Sequence, residues 1–184
     1  MSSAMRLNLA GTHAILSPSS PAWINYDTDK MTRVWHSNQE ARRGSEIHDV
    51  AAKLIKLGIR LPQTETTLNM YVNDAIGYRM TPEELLFYSE NCYGHCDAYG
   101  FRHEVLRIHD LKTGVNEANM TQLVVYAALF CLEFKYKPSQ IKIVLRIYQN
   151  DDIKEHIPDP DEVFHVMDKI VTFDKLITYL KTEV

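Results

Sequence analysis

The chain has no surplus of positive charge: 20 Lys and Arg stand against 24 Asp and Glu, a formal net charge of −4. That balance does not mark a protein that holds a polyanion by overall charge. Cysteine is scarce, with only Cys92, Cys96 and Cys131, which argues against a disulfide scaffold and suits a reducing compartment. No apolar run approaches the about 20 residues of a membrane span, so no membrane partner is expected. The start of the chain lacks the apolar core of a secretory signal, so a cytoplasmic location is expected. Internal repeats and low-complexity linkers are absent as well. What is present is ordinary for a globular protein: 184 residues, 45% hydrophobic and 24% charged. One domain over residues 1–184 is the simplest expectation.

The average charge hides an asymmetry. Residues 29–60 carry seven Lys/Arg against four Asp/Glu, whereas residues 150–168 carry seven Asp/Glu against Lys154 alone. Such a polarised surface can attract phosphate on one side, or simply be two solvated faces. Along the chain, Ser17-Pro-Ser-Ser-Pro-Ala-Trp23 predicts a helix entry with hydroxyl caps, and Trp23 and Tyr26 are expected in the core. Hydroxyls at a helix start can also hold a phosphate. Ile47, Ala51, Leu54 and Ile55 recur at helical spacing, predicting a helix over 38–57 that stops at Gly58. Leu68, Tyr71, Val72 and Ile76 favour a helix within 63–80, and residues 85–89 a strand. Residues 118–134 predict a helix, apolar all round from Leu123 to Leu132; 141–148 alternate as a strand. Residues 160–181 predict a last helix with Val163, Phe164, Met167, Ile170, Val171 and Leu180 on its apolar side. The order gives an α/β protein with a central mixed sheet flanked by helices.

The informative stretch runs from Gly94 to Gly114: two strands joined by a polar turn at Arg102-His103-Glu104. Leu106, Ile108, Asp110 and Lys112 share one face, and pairing brings Asp97 to the same strand end. Hard divalent cations such as Mg²⁺ and Mn²⁺ prefer oxygen ligands, so Asp97 and Asp110 could hold one, with the backbone carbonyl of Leu111 adding a ligand. Lys112 beside them would orient a water or stabilise charge on a phosphoryl oxygen. Taken alone, an Asp-x-Lys triplet is common and usually a surface ion pair. His48, beside Ile47, is by itself more often a satisfied structural residue than a ligand. Gln122 and Tyr126 share a face of a greasy helix and need partners, which can be backbone groups.

Taken in order, Gly44-x-x-x-His48 on a helix, Gly94-x-x-Asp97 on a strand, Asp110-Leu-Lys-Thr-Gly114 on the next, and Gln122-x-x-x-Tyr126 on a helix resemble the RecB-like branch of the PD-(D/E)XK nuclease superfamily. The resemblance covers residues 17–149, with Ser17-x-Ser19 and Trp23 similar to the family's entry and Arg146-Ile-Tyr-Gln149 to its closing strand. It implies a restriction-endonuclease-like core and a metal-dependent DNA nuclease, an exonuclease of recombination, repair or phage genome processing. It also implies roles: His48, Asp97 and Asp110 for the metal, Lys112 for catalysis, Gln122 and Tyr126 for support of the site and contact with DNA. DNA ends or single strands would be the substrate, in the host cytoplasm if the gene is a phage's, with a recombination partner or a second copy as further candidates. Many relatives carry an iron–sulfur cluster on four cysteines; with three cysteines lying elsewhere, none is expected here. DNA affinity would come from a partner, an oligomer, or a patch such as Arg33, Arg42, Arg43, Lys53 and Lys56, with Ser17 and Ser19. Competing readings are zinc at Cys92, His95, Cys96, His103 and His109, a fold that has stopped cutting and only binds or assembles, and a restriction-type endonuclease. Cys92 and Cys96 read better as packing residues.

Overall fold

The computed structural model describes residues 14–183. The chain divides into two compact units, one up to Arg43 and one from Gly44, with the boundary inside a long helix.

In the first unit a 3-10 turn, Pro21–Asn25, takes the place of the expected capped helix entry. Ser20 makes no side-chain cap, and the hydroxyls of Ser17 and Ser19 bond each other at 2.8 Å. Trp23 and Tyr26 are half-buried rather than core; the Trp23 indole N–H donates to the Ser17 carbonyl at 3.0 Å, and Lys30 sits over the Tyr26 ring. Helix α1 runs Thr28–Leu57, ten residues longer at its start than apolar spacing predicts. Its first turns carry Met31, Val34 and Trp35 at helical spacing, but the polar run from His36 to Arg43 separates them from the apolar series that starts at Ile47. The side chain of Asp27 accepts from the Lys30 N–H at 2.7 Å and caps the start. Gly58, at φ +67°, ends it as expected.

The second unit is α/β: a five-stranded mixed sheet flanked by helices, an arrangement consistent with a restriction-endonuclease-like core. Helix α2 is Thr67–Gly77, followed by β1 Thr81–Ser89, β2 Cys92–Arg102 and β3 Val105–Leu111. Helix α3, Thr121–Phe134, crosses to β4, Lys142–Gln149; then come β5, Asp152–His156, and α4, Pro160–Thr182. The strands lie in the order β1-β2-β3-β4-β5, antiparallel except for the parallel β3–β4 pair that the α3 crossover makes possible. His103 and Glu104, both at positive φ, close the β2–β3 hairpin, and Asn150-Asp151 close β4–β5 in the same way. Strand β5 is absent from the sequence-based expectations, because its charged residues hide the alternation.

Period-2 alternation sends the two sides of the sheet into two cores. Leu106, Ile108, Ile143, Leu145 and Ile147 pack under α3 and Val163 of α4. Leu111 and Tyr148 point the other way, to Tyr71, Val72 and Ala75 of α2 and to Ala51 and Ile55 of α1. Phe164 and Leu180, expected on the apolar side of α4, are exposed instead. Helix α3 starts three residues later than its apolar content suggests: the Asn119 side chain accepts the Thr121 N–H at 3.1 Å, while Ala118 belongs to the preceding loop and donates its N–H to the Gln149 side chain at 3.1 Å. Among the described residues no helix is long and apolar enough to cross a membrane.

Candidate metal centre

The site forms where the sheet ladder breaks. On β2, Cys96 belongs to the core under α3 while Ala98 belongs to the core on the opposite face, so the alternation fails at Asp97. Across from it, Pro82 pairs with Ala98 and Glu84 with Cys96, but Glu83 is skipped and holds φ +53°. A side-chain-bearing residue in that region is strained by about 1–3 kcal/mol, so its surroundings must over-determine it. The opened ladder frees the Glu83 and Asp97 carboxylates to meet His48 of α1: one ligand atom from each of the three lies within 4.8 Å of the others.

Asp97 and His48 are held from behind. The Asp97 carboxylate accepts the Leu111 N–H at 2.9 Å and stands 3.4 Å from His48 Nδ1. Gly44, one helical turn before His48, lets α1 approach the end of β3: a Cβ there would lie 2.8 Å from Thr113 Oγ1. The hydrogen bond to Asp97 raises the His48 pKa against the opposing effect of burial. Burial first, then the charge of Asp97, raises Glu83. Asp110 is raised likewise, by burial and then by Asp97, with Lys112 opposing.

Asp110 and Lys112 stand beside this trio rather than in it. The Lys112 ammonium donates to Asp110 Oδ1 at 3.0 Å and to Gln122 Oε1 at 3.0 Å. Asp110 Oδ2 is buried, lies 3.0 Å from the same ammonium, and accepts no hydrogen bond. Leu111 buries its side chain in the core on the α2 face, and Lys112 continues the ladder by donating its N–H to the Tyr148 carbonyl at 2.9 Å. Tyr126 donates its hydroxyl to the His95 carbonyl at 2.5 Å. Gly94 makes room for that ring, since a Cβ there would be 3.0 Å from Tyr126 Cε1. Thus both motif glycines are places where a side chain would displace a neighbour.

Two further groups brace the site. The Gln149 amide donates to the carbonyls of Gly114 and Asn116 at 2.6 and 2.7 Å, pinning the loop that follows Lys112. His109, fully buried, is pushed down to about 3 by burial and by Arg146 and Arg107, and so is neutral. It meets the Tyr148 hydroxyl at 3.2 Å, which donates to Asp74 at 2.7 Å, tying β3, β4 and α2 together under the site.

The zinc candidates do not converge. Cys92 and Cys96 face the core under α3, His109 packs on the other face, and His103 sits in the hairpin turn. In the first unit, Ser17, Ser19 and Arg42 line one cavity of about 480 Å³ with Ser20 and Asn38, whereas Arg43 is not among its lining residues. Glu83 is absent from the sequence-derived ligand set. It lies in Thr81-Pro-Glu-Glu84, where the strained φ that aims it also destroys the alternation by which a strand residue is assigned a face. No protein-family model, curated protein or solved structure matches the chain.

Proposed function

We propose that the chain is a metal-dependent deoxyribonuclease, an exonuclease akin to the RecB-like branch of the PD-(D/E)XK nucleases. The observation that carries this reading is the convergence of His48, Glu83 and Asp97 at the strand end that also presents Asp110 and Lys112. The donor set fits a divalent cation. It offers carboxylate oxygens and one imidazole nitrogen, with lone pairs on Asp110 Oδ2 that no hydrogen bond uses. His48, Glu83 and Asp97 would hold Mg²⁺ or Mn²⁺, with Asp110 and the Leu111 carbonyl adjoining. When bound, such an ion supplies Lewis-acid polarisation of the phosphodiester and acidifies water.

The chain's own residues do the rest. Lys112, a third exposed and steered by Asp110 and Gln122, offers its remaining N–H to the scissile phosphate or to the attacking water. Water oxygen bonds to phosphorus as the bond to the sugar oxygen breaks, a proton from the water balances the departing sugar oxygen, and the ammonium compensates charge on the phosphoryl oxygens. Tyr126 and Gly94 keep α3 against β2 so that Gln122 stays in reach of Lys112. The cavity of Ser17, Ser19 and Arg42 has the hydroxyl and guanidinium chemistry of a phosphate subsite, and it supports a DNA substrate despite the acidic average.

The test is incubation with end-labelled linear and closed circular DNA in Mg²⁺, Mn²⁺ or EDTA. Metal-dependent loss of linear DNA alone is the expected result. Cutting of circles would make it an endonuclease. No metal-dependent cutting, or equal cutting by Asp110→Ala and Lys112→Ala, would overturn the reading.

A further inference from the structure

We propose that a second cavity, between the start of β1 and the end of β2, binds an unpaired nucleotide of a DNA strand. It measures about 290 Å³, and its lining includes Arg79, Arg102, Tyr99, Phe101, Phe134 and Tyr136. Its wall is a raft of rings: Phe101 lies 4.7 Å from Tyr136 and 5.1 Å from the buried Phe130, which also stacks on Tyr136 at 9°. Phe134 and Tyr136 lean on Phe130 yet stay 45% and 37% exposed, so flat apolar surface faces outward from a rigid base.

The rim carries the second observation. Arg146 is spent on Asp74 and Glu155, and Arg107 on the Tyr78 ring, but among the described residues Arg79 and Arg102 have no ion pair and no ring contact. Arg79 is moreover held at φ +54°, an uncommon conformation for a residue with a side chain. Two unpaired guanidiniums beside exposed aromatic faces complement a ligand that is both flat and anionic. Single nucleic-acid strands are bound in this way, bases on rings and phosphates on cations. An apolar ligand would leave the arginines unused, and a simple anion would leave the rings unused. Tyr99 and Phe101 follow Asp97 by two and four residues on β2, about 7 and 13 Å along the strand. The cavity thus shares strand β2 with Asp97. The inference rests on the nuclease reading for its choice of strand, while the binding itself can be measured without cleavage.

The experiment is fluorescence anisotropy of a short labelled oligo(dT) on the full chain in EDTA, alongside cleavage of the same strand in Mg²⁺ or Mn²⁺. Arg79→Gln with Arg102→Gln, and separately Tyr136→Ala, should each weaken binding on the order of 10-fold, the scale of one base–aromatic stack or lost phosphate contacts. Lys169→Gln with Lys175→Gln on α4 removes the same charge elsewhere and should change binding less than about 2-fold, since it leaves the local phosphate contacts in place. Equal loss in that control, or wild-type binding by the cavity variants, would overturn the proposal. Displacement of oligo(dT) by equimolar dTMP would assign the cavity to a free mononucleotide, and displacement by an acidic peptide ending in Phe would assign it to a protein partner; either overturns it. Cleavage by a wild-type protein whose binding ignores the cavity variants would sink this proposal alone. Cavity-dependent binding without any metal-dependent cleavage would sink the nuclease reading alone.

Discussion

Glu83 holds φ +53° in the middle of a strand and supplies one of three converging ligand atoms. Glycine adopts that conformation without steric strain, and the relief exceeds its entropic cost, so Glu83→Gly should raise the melting temperature of the metal-free protein by roughly 2–4 °C, corresponding to about 1 kcal/mol in a chain of this size. The same variant should lose metal affinity, read by calorimetric titration with Mn²⁺, and a Glu83→Gln variant should lose affinity by at least about 10-fold without the thermal gain. If both variants bind Mn²⁺ as the wild type does, Glu83 is not a ligand. On the proposed function Gln122 would act differently, through its hydrogen bond with Lys112. Gln122→Ala should lower kcat about 10-fold, the worth of one hydrogen bond to a charged group, with Mn²⁺ affinity unchanged. A matching fall in Mn²⁺ affinity would place Gln122 in support of the metal rather than of the lysine. In the sequence the Gln122–Tyr126 pair was visible from its spacing. Glu83 was not, because local strain erases the pattern that assigns a strand residue to a face.

Between elements, the two motif glycines are contact points. Gly44 sits in the interior of α1, where alanine would ordinarily gain up to about 1 kcal/mol in helix propensity. Its Cβ would meet Thr113 Oγ1 at 2.8 Å, so Gly44→Ala should instead destabilise by about 1–3 kcal/mol in urea unfolding. Adding Thr113→Ala should remove most of that penalty, and a double-mutant cycle with no coupling would refute the contact. The strands and helices were largely legible. Apolar spacing anticipated the last two thirds of α1, the core of α3 and strand β4, since these residues bury faces of fixed period. The ends were not. The start of α1 is cut off from the later apolar series by a polar run and begins at the Asp27 cap, α3 begins where Asn119 accepts the Thr121 N–H, and β5 is too charged to show its alternation.

For the second unit as a whole, the site is a concentration of raised pKa values: His48, Glu83 and Asp110 all favour their protonated forms relative to isolated groups. A group whose folded pKa lies above its unfolded value adds stability below the unfolded value and loses it as pH rises through the folded one. The metal-free site is therefore least comfortable at alkaline pH, where a cation has most to compensate. The melting-temperature rise produced by Mn²⁺ should be larger at pH 8 than at pH 6, because proton and metal compete for His48 above its ordinary value. An equal rise at both pH values would remove His48 from the ligand set.

Residue order alone established the α/β class, the hairpin with its turn, and the pairing of Asp110 with Lys112 on one strand face. These follow from short-range periodicity and from turn chemistry, which a linear chain carries in plain view. Only the folded chain decided that Glu83 joins His48 and Asp97, while Asp110 stands beside them paired with Lys112. That division depends on a break in the β1–β2 ladder and on the close approach of α1 to Thr113. Neither has a local signature, because both arise from packing between segments dozens of residues apart.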